Sequence, residues 1–199
     1  MSKNLRAFGL AGILIIILMV GILSGMVFAG IASHRNAILT TRTRIQFIQY
    51  ESALKAYCRE YGEMPPFIGQ EEMFWLDCDG NSELLIKALS GRNPDGGQLS
   101  EQDKEYLNPL SKRFYTFTDS DFFRREDETV DRSQLADAFN NRSICIVMES
   151  VLDNDTEIPK SILPRVIQKQ VIDSALNAQI VIFSVDERHK TSVAHWTKK

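Results

Sequence analysis

Residues 7–32 carry no charged side chain, and their sole hydroxyl is Ser24. Nothing else in the chain restricts the possible folds as strongly. About 20 apolar residues cross a bilayer core as a helix at 1.5 Å per residue, so this run is long enough with tilt to spare. Fourteen of its positions are Ile, Leu, Val or Phe, and five are Gly. At about −0.4 kcal/mol each, the large side chains contribute on the order of −6 kcal/mol towards insertion, which outweighs the glycines. A cleaved secretory signal has an apolar region of only about 7–15 residues, too short to match. The sequence therefore predicts a basic leader over 1–7 and a transmembrane helix over 8–33.

The helical pattern continues over 34–62. Ile38, Ile45 and Ile48 open an apolar stripe, and Phe47, Tyr50, Leu54, Tyr57 and Tyr61 extend it at three- and four-residue steps. These are expected on one face, with Arg44, Glu51, Lys55 and Arg59 elsewhere on the surface. Gly62 supplies a C-terminal cap, and Pro65-Pro66 prevents continuation. One helix over 8–61 measures about 80 Å, with its outer half striped for a sheet to cover. Tyr57 and Tyr61 are read as core packing. Within the span, Gly21, Gly25 and Ala29 place a small residue every fourth position, a flat strip that another helix can approach.

Residues 63–199 are expected to form one head with its own core. Asn81-Ser82 caps a short helix through Leu89, ended by Gly91. Residues 92–106 read as a polar loop, 113–118 as an aromatic strand and 119–132 as a solvated loop. Further strands are expected at 143–151, 179–185 and 191–196, the last two joined by a short turn into an antiparallel hairpin. Helical spacing covers 161–176, with Pro164 in its first turn. No internal repeat is present.

Removing Lys3 and Arg6 leaves 21 basic residues against 26 acidic ones, a formal charge of −5 outside the leader and span. That balance gives no support to nucleic-acid binding and argues against docking on anionic lipid. Orientation is not decided by charge, because Lys3 and Arg6 face Arg35, Arg42 and Arg44 on the other flank. Three cysteines make no disulfide framework or zinc pattern. Cys145 sits in an apolar run and reads as a buried thiol, whereas Cys58 and Cys78 can pair if the head faces an oxidising compartment.

Taken in order, several segments resemble the type II secretion pseudopilins, the major G-type subunit above all. Ala7-Phe-Gly-Leu-Ala-Gly-Ile-Leu is similar to a prepilin junction, where a small residue precedes the Phe that opens the mature helix. Val20-Gly-Ile-Leu23 is similar to the middle of that helix. Ala53-Leu-Lys-Ala-Tyr57, then Tyr61-Gly62 and Pro65, resembles the helix exit. Asn108-Pro109 and the aromatic stretch after it resemble a mid-domain segment, and Asp137-Ala-Phe-Asn-Asn141 resembles a worn Asp-Pro-Trp-Gly-Asn-Pro turn. Ile180 to Ser184 and Trp196 resemble the terminal hairpin.

The resemblance implies a pilin-like α+β fold, a long N-terminal helix on a small antiparallel sheet, anchored in the inner membrane with a periplasmic head over 63–199. It implies Ala7 and Phe8 as the processing junction, Gly12, Gly21 and Gly25 as assembly positions, and a structural role in a secretion pseudopilus. Its implied partners are other pseudopilin subunits, a prepilin peptidase if the leader is processed, the inner-membrane secretion platform and membrane lipid. The chain departs from the family at Gly12, where a Glu is usual, and at Ala7, where Gly is usual. A buried carboxylate in lipid needs a partner, so its loss removes a cost and an assembly contact together. The terminal loop lacks the paired Asp residues that hold calcium in the major subunit, which favours a minor or divergent subunit. The alternative is an unprocessed, single-pass binding or scaffold module.

No constellation for catalysis stands out. Residues 77–83 alternate oxygen donors, but the glycine is misplaced for a calcium loop and position twelve is Ala88. Residues 153–157 read as a solvated turn. His34, His189 and His195 have no ligand spacing, and no phosphate loop or nucleophile elbow is visible. Neither metal nor cofactor is expected. An enzyme would require Asp77, Asp79, His189 or His195 to converge in a cleft.

Overall fold

The computed structural model describes the backbone of residues 4–68, 73–148, 158–159, 163–168, 175–176, 178–186 and 191–198. Side chains are described for these residues except 4–11, 22–33, 158–159, 166, 175–176, 178–179, 186, 191 and 198. The class is α+β, as expected. Helix α1 (Asn4–Tyr61) is followed by β1 (Phe74–Trp75), α2 (Asn81–Ser90), α3 (Glu101–Leu107), β2 (Phe122–Arg124) and β3 (Val130–Leu135). After them come β4 (Ile144–Met148), β5 (Ile158–Pro159), α4 (Arg165–Gln168), β6 (Ala175–Leu176), β7 (Ala178–Asp186) and β8 (Thr191–Lys198). Two units divide the chain, Met1–Leu39 and Thr40–Lys199.

In the second unit, an antiparallel sheet of order β1-β4-β7-β8 carries the core. The expected terminal hairpin is there: Phe183 pairs with Ala194 and Ser184 with Val193, while the turn at 187–190 lies outside the described residues. Side chains alternate across the sheet, so each face has its own apolar set. Ile144, Ile146, Ile180, Ile182 and Val193 share a cluster with Phe47, Tyr50, Leu54 and Tyr57 of α1. Cys145, Val147, Val181, Phe183 and Ala194 share another with Leu163 and Ile167. Cover on both faces explains why β4 is an unbroken apolar run rather than an alternating one.

Helix α1 ends as its sequence predicts. Gly62 takes φ +80, and its N–H bonds the Cys58 carbonyl at 2.8 Å. The stripe is a different matter. Ile38, Ile45 and Ile48 are exposed, whereas Thr43, Gln46 and Glu51 are buried beside the aromatic residues. The expected single stripe is two faces, because steps of three and four from Ile45 and from Phe47 both satisfy a helical period.

Four further expectations are corrected. Residues 113–118 form no strand: the N–H groups of Phe114 and Tyr115 both bond the Leu89 carbonyl, and their rings pack on Tyr57 and Tyr50. Within the polar loop lies α3, its first turn capped by Ser100 Oγ accepting from Asp103 N–H at 3.1 Å. The supposed solvated loop contains the β2–β3 hairpin, in which buried Phe122 faces Leu135. The helix expected over 161–176 is helical only at α4, and Ala175–Leu176 is a strand; residues 161–162 and 169–174 lie outside the described residues. Helix α2 is as expected, although Gly80 rather than Asn81 is its N-cap.

Candidate functional site

Among the described residues of the first unit, Ile13 to Val20 form eight consecutive apolar side chains, each between 53% and 66% exposed. A helix apolar on all sides belongs in a core, a membrane or a packed bundle, because water is a poor solvent for it. A Cβ built on Gly12 or Gly21 meets no atom within 4 Å, so neither glycine is required by packing inside the chain. The side chains of Ala7 and Phe8, like the surroundings of Gly25, lie outside the described residues. Among the described residues no helix is long and apolar enough to cross a membrane. Of the 8–33 span, the side chains of 8–11 and 22–33 lie outside the described ones.

The second unit shows how the head grips its part of α1. Every few residues a polar side chain on the buried face meets a partner far away in sequence. Thr43 Oγ1 accepts from Ala138 N–H at 3.2 Å, and Gln46 Nε2 donates to the Ala136 carbonyl at 2.9 Å. Both contacts dock the turn at 137–141. Asp137 organises that turn: its Oδ1 accepts from the N–H groups of Phe139 and Asn141, and its Oδ2 accepts from Ser184 Oγ. Lower on the helix, Tyr57 donates to the Leu107 carbonyl at 2.6 Å, and Tyr61 donates to Asn108 Oδ1. Burial pushes the Tyr57 hydroxyl up to about 12 and that of Tyr50 well above its ordinary value. Both hydroxyls stay protonated at neutral pH, Tyr57 as the donor to Leu107 and Tyr50 as the acceptor of a bond from Gln46 Nε2 at 2.9 Å.

The most concentrated polar cluster joins α1 to the edge strand. Glu51, only 4% exposed, accepts at Oε2 from His195 Nε2 and from Thr197 Oγ1, while Lys55 Nζ lies 2.6 Å from Oε1. That last approach misses hydrogen-bonding directionality, so the compensation of Oε1 is Coulombic. Burial alone would raise the Glu51 carboxyl. The Lys55 ammonium together with the bonds from Thr197 and His195 outweighs it and holds the group below its ordinary value. Glu51, expected on the surface, is buried, and His195, which has no ligand spacing in the sequence, is its partner. Their separation of 144 positions left no local signal.

The cluster gathers a carboxylate, an imidazole, a hydroxyl and an ammonium, and its His195 and Thr197 contacts tie β8 to α1, so it is read as a structural clamp. Asp77 bonds Ser143 Oγ at 2.7 Å and does not join it, and His189 lies outside the described residues. Among the described residues no group of three His, Cys, Asp or Glu is placed to hold a metal ion. Cys58, Cys78 and Cys145 are free thiols, and burial pushes the Cys145 thiol well above its ordinary value. An open groove of about 1070 Å³ runs beside α1, lined by Arg42, Gln49, Tyr115, Asp121, Arg124 and Asn140 among others. Asp121 on its wall is already satisfied by Tyr115, Thr118 N–H and Thr118 Oγ1.

No protein-family model, no curated protein and no solved structure matches this chain.

Proposed function

We propose that this protein is a pseudopilin-like structural subunit, minor or divergent, of a type II secretion-type pseudopilus. It sits in the inner membrane by its N-terminal helix with the head in the periplasm, and its role is mechanical rather than catalytic. The observation that carries this reading is the double use of α1. Its early turns present apolar side chains on every side, and its turns from Thr43 onward are built into the core of an antiparallel-sheet head. A helix used this way can leave lipid and pack against identical helices without refolding its head. The sequence resemblances at the helix exit and in the terminal hairpin agree with it. The pilin-like fold, the other pseudopilin subunits, the secretion platform and a prepilin peptidase acting between Ala7 and Phe8 belong to the same proposal.

N-terminal sequencing of the protein recovered from membranes tests it. A mature chain opening at Phe8 is the expected result; an intact Met1, or a cut near Ala32, counts against it.

A second reading, an unprocessed single-pass scaffold, is favoured by Gly12. Open space around that position means that packing inside the chain does not forbid a glutamate there. Cysteine crosslinking from positions 21 and 25 separates the two readings. Linkage to other pseudopilins supports the filament, and its absence supports the scaffold.

A further inference from the structure

Three arginines from separate segments line one recess of about 230 Å³ in the head: Arg92, Arg113 and Arg132. Arg92 follows the left-handed Gly91 that terminates α2, and its loop is fixed by the Asn93 N–H on the Gly97 carbonyl and the Gly96 N–H on that of Asn93. Arg113 opens the aromatic segment that is tied down by the Leu89 carbonyl. Arg132 projects from β3. Asp119 is the one carboxylate in the lining, and its Oδ1 lies 3.0 Å from Arg132. Among the described residues, the partner of Arg92 Nη1 is a neutral acceptor, the Gly96 carbonyl at 3.1 Å. Among the described residues Arg113 has no ion pair.

Three guanidiniums against one carboxylate is a local excess of positive charge in a chain whose formal net charge is −3. Like charges gathered in one recess repel, and an anion among them turns that repulsion into attraction. Tyr115, Phe117 and Phe122 also line the recess, while Arg92, Arg113 and Arg132 are exposed, so the site is open to an anion from solvent. The volume is below the roughly 300–1,000 Å³ of pockets that enclose a drug-sized molecule, so a compact group fits it. Planar guanidiniums suit the paired oxygens of such a group.

We propose that this recess binds a phosphate-class oxyanion, held by charge-assisted N–H···O bonds from Arg92, Arg113 and Arg132. The proposal is independent of any role in secretion. Either free phosphate or a phosphomonoester lipid headgroup presents the chemistry.

The test uses the full chain in neutral detergent at fixed ionic strength. Inorganic phosphate is titrated with chloride as control, and phosphatidic acid is compared with phosphatidylcholine in mixed micelles, both read by calorimetry. Saturable binding of either phosphate probe is expected, with Arg113→Gln and Arg92→Gln each weakening it by roughly tenfold or more. Arg44→Gln, on an exposed position of α1 outside the recess, leaves it unchanged. Preference for phosphatidic acid assigns a lipid source, and equal or better binding of inorganic phosphate assigns a soluble one. Circular dichroism confirms that the variants fold. Absence of saturation by both probes at tens of millimolar, or equal binding by wild type and both variants, overturns the proposal.

Discussion

Glu51, on the head-facing side of α1, and His195, on the edge strand β8, share a hydrogen bond between Nε2 and Oε2 across 144 positions of sequence. With Thr197 and Lys55 on the same carboxylate, this contact fastens the last strand of the chain to its first helix. Glu51→Ala leaves an imidazole and a hydroxyl without their acceptor and an ammonium without its counter-charge. The expected loss is roughly 2–4 kcal/mol in denaturant unfolding. His195→Ala costs less, because Thr197 and Lys55 keep their places.

The same carboxylate predicts an acid limb in stability. Its folded value lies below the ordinary 4.5, so the unfolded chain takes up this proton first as the pH falls. Glu51 therefore contributes stability that is fully present above 4.5 and is lost as the pH drops through the lower, folded value. Unfolding free energies measured on either side of that window should fall less steeply in Glu51→Gln than in wild type. Identical slopes would show that the clamp does not hold the carboxylate in its charged form.

Asn108 is the second polar hub, fully buried, and all its bonding capacity is in use. Its Nδ2 donates to the carbonyls of Ala88 and Lys112 at 2.7 and 2.8 Å, and its Oδ1 accepts from Lys112 N–H and Tyr61. Asn108→Ala strands several buried groups and is expected to cost about 3 kcal/mol, against about 1 kcal/mol for Tyr61→Phe. The two effects share one bond, so the double variant should lose less than the sum of the single ones, a shortfall readable by thermal unfolding.

The faces of α1 give a sharper comparison. Phe47 is fully buried in the core, and Phe47→Ala should cost about 3–5 kcal/mol. Ile45 and Ile48 are 49% and 42% exposed, and their change to Ser should move the stability of the isolated subunit by no more than about 0.5 kcal/mol. Parallel denaturant titrations of the three variants decide it. A large loss at Ile45 or Ile48 would put the isoleucines on the core face.

That comparison also shows where the sequence was informative. Local signals are legible: the helix stop at Gly62 and Pro65, the α2 stop at Gly91, and the strands expected at 143–151 and 179–185, found as Ile144–Met148 and Ala178–Asp186, follow from the chemistry of the residues themselves. The face of α1 was not, because Ile45 and Phe47 both fit a period of 3.6 and only the tertiary fold chooses between them. Likewise Phe114 and Tyr115 alternate like a strand, yet their backbone answers to Leu89 and their rings to the tyrosines of α1. The Glu51 clamp and the arginine recess unite residues from distant segments, and no spacing rule reports such meetings.

The apolar run supplies the last prediction. Ile16 and Ile17, 62% and 66% exposed, belong to a helix segment with no polar side to turn towards water. If that segment lies in lipid, Ile17→Lys replaces a favourable residue by one that costs about 2.5–3.5 kcal/mol near the span centre. The double change Ile16→Lys with Ile17→Lys should then shift much of the protein from the carbonate-resistant membrane fraction to the soluble one. Both positions lie in the unit Met1–Leu39, so the head in Thr40–Lys199 should unfold at the same denaturant concentration as before. Ile17→Phe keeps the apolar character and should change neither readout. Full retention of the double Lys variant in membranes would mean that the run 7–32 is not what anchors the chain.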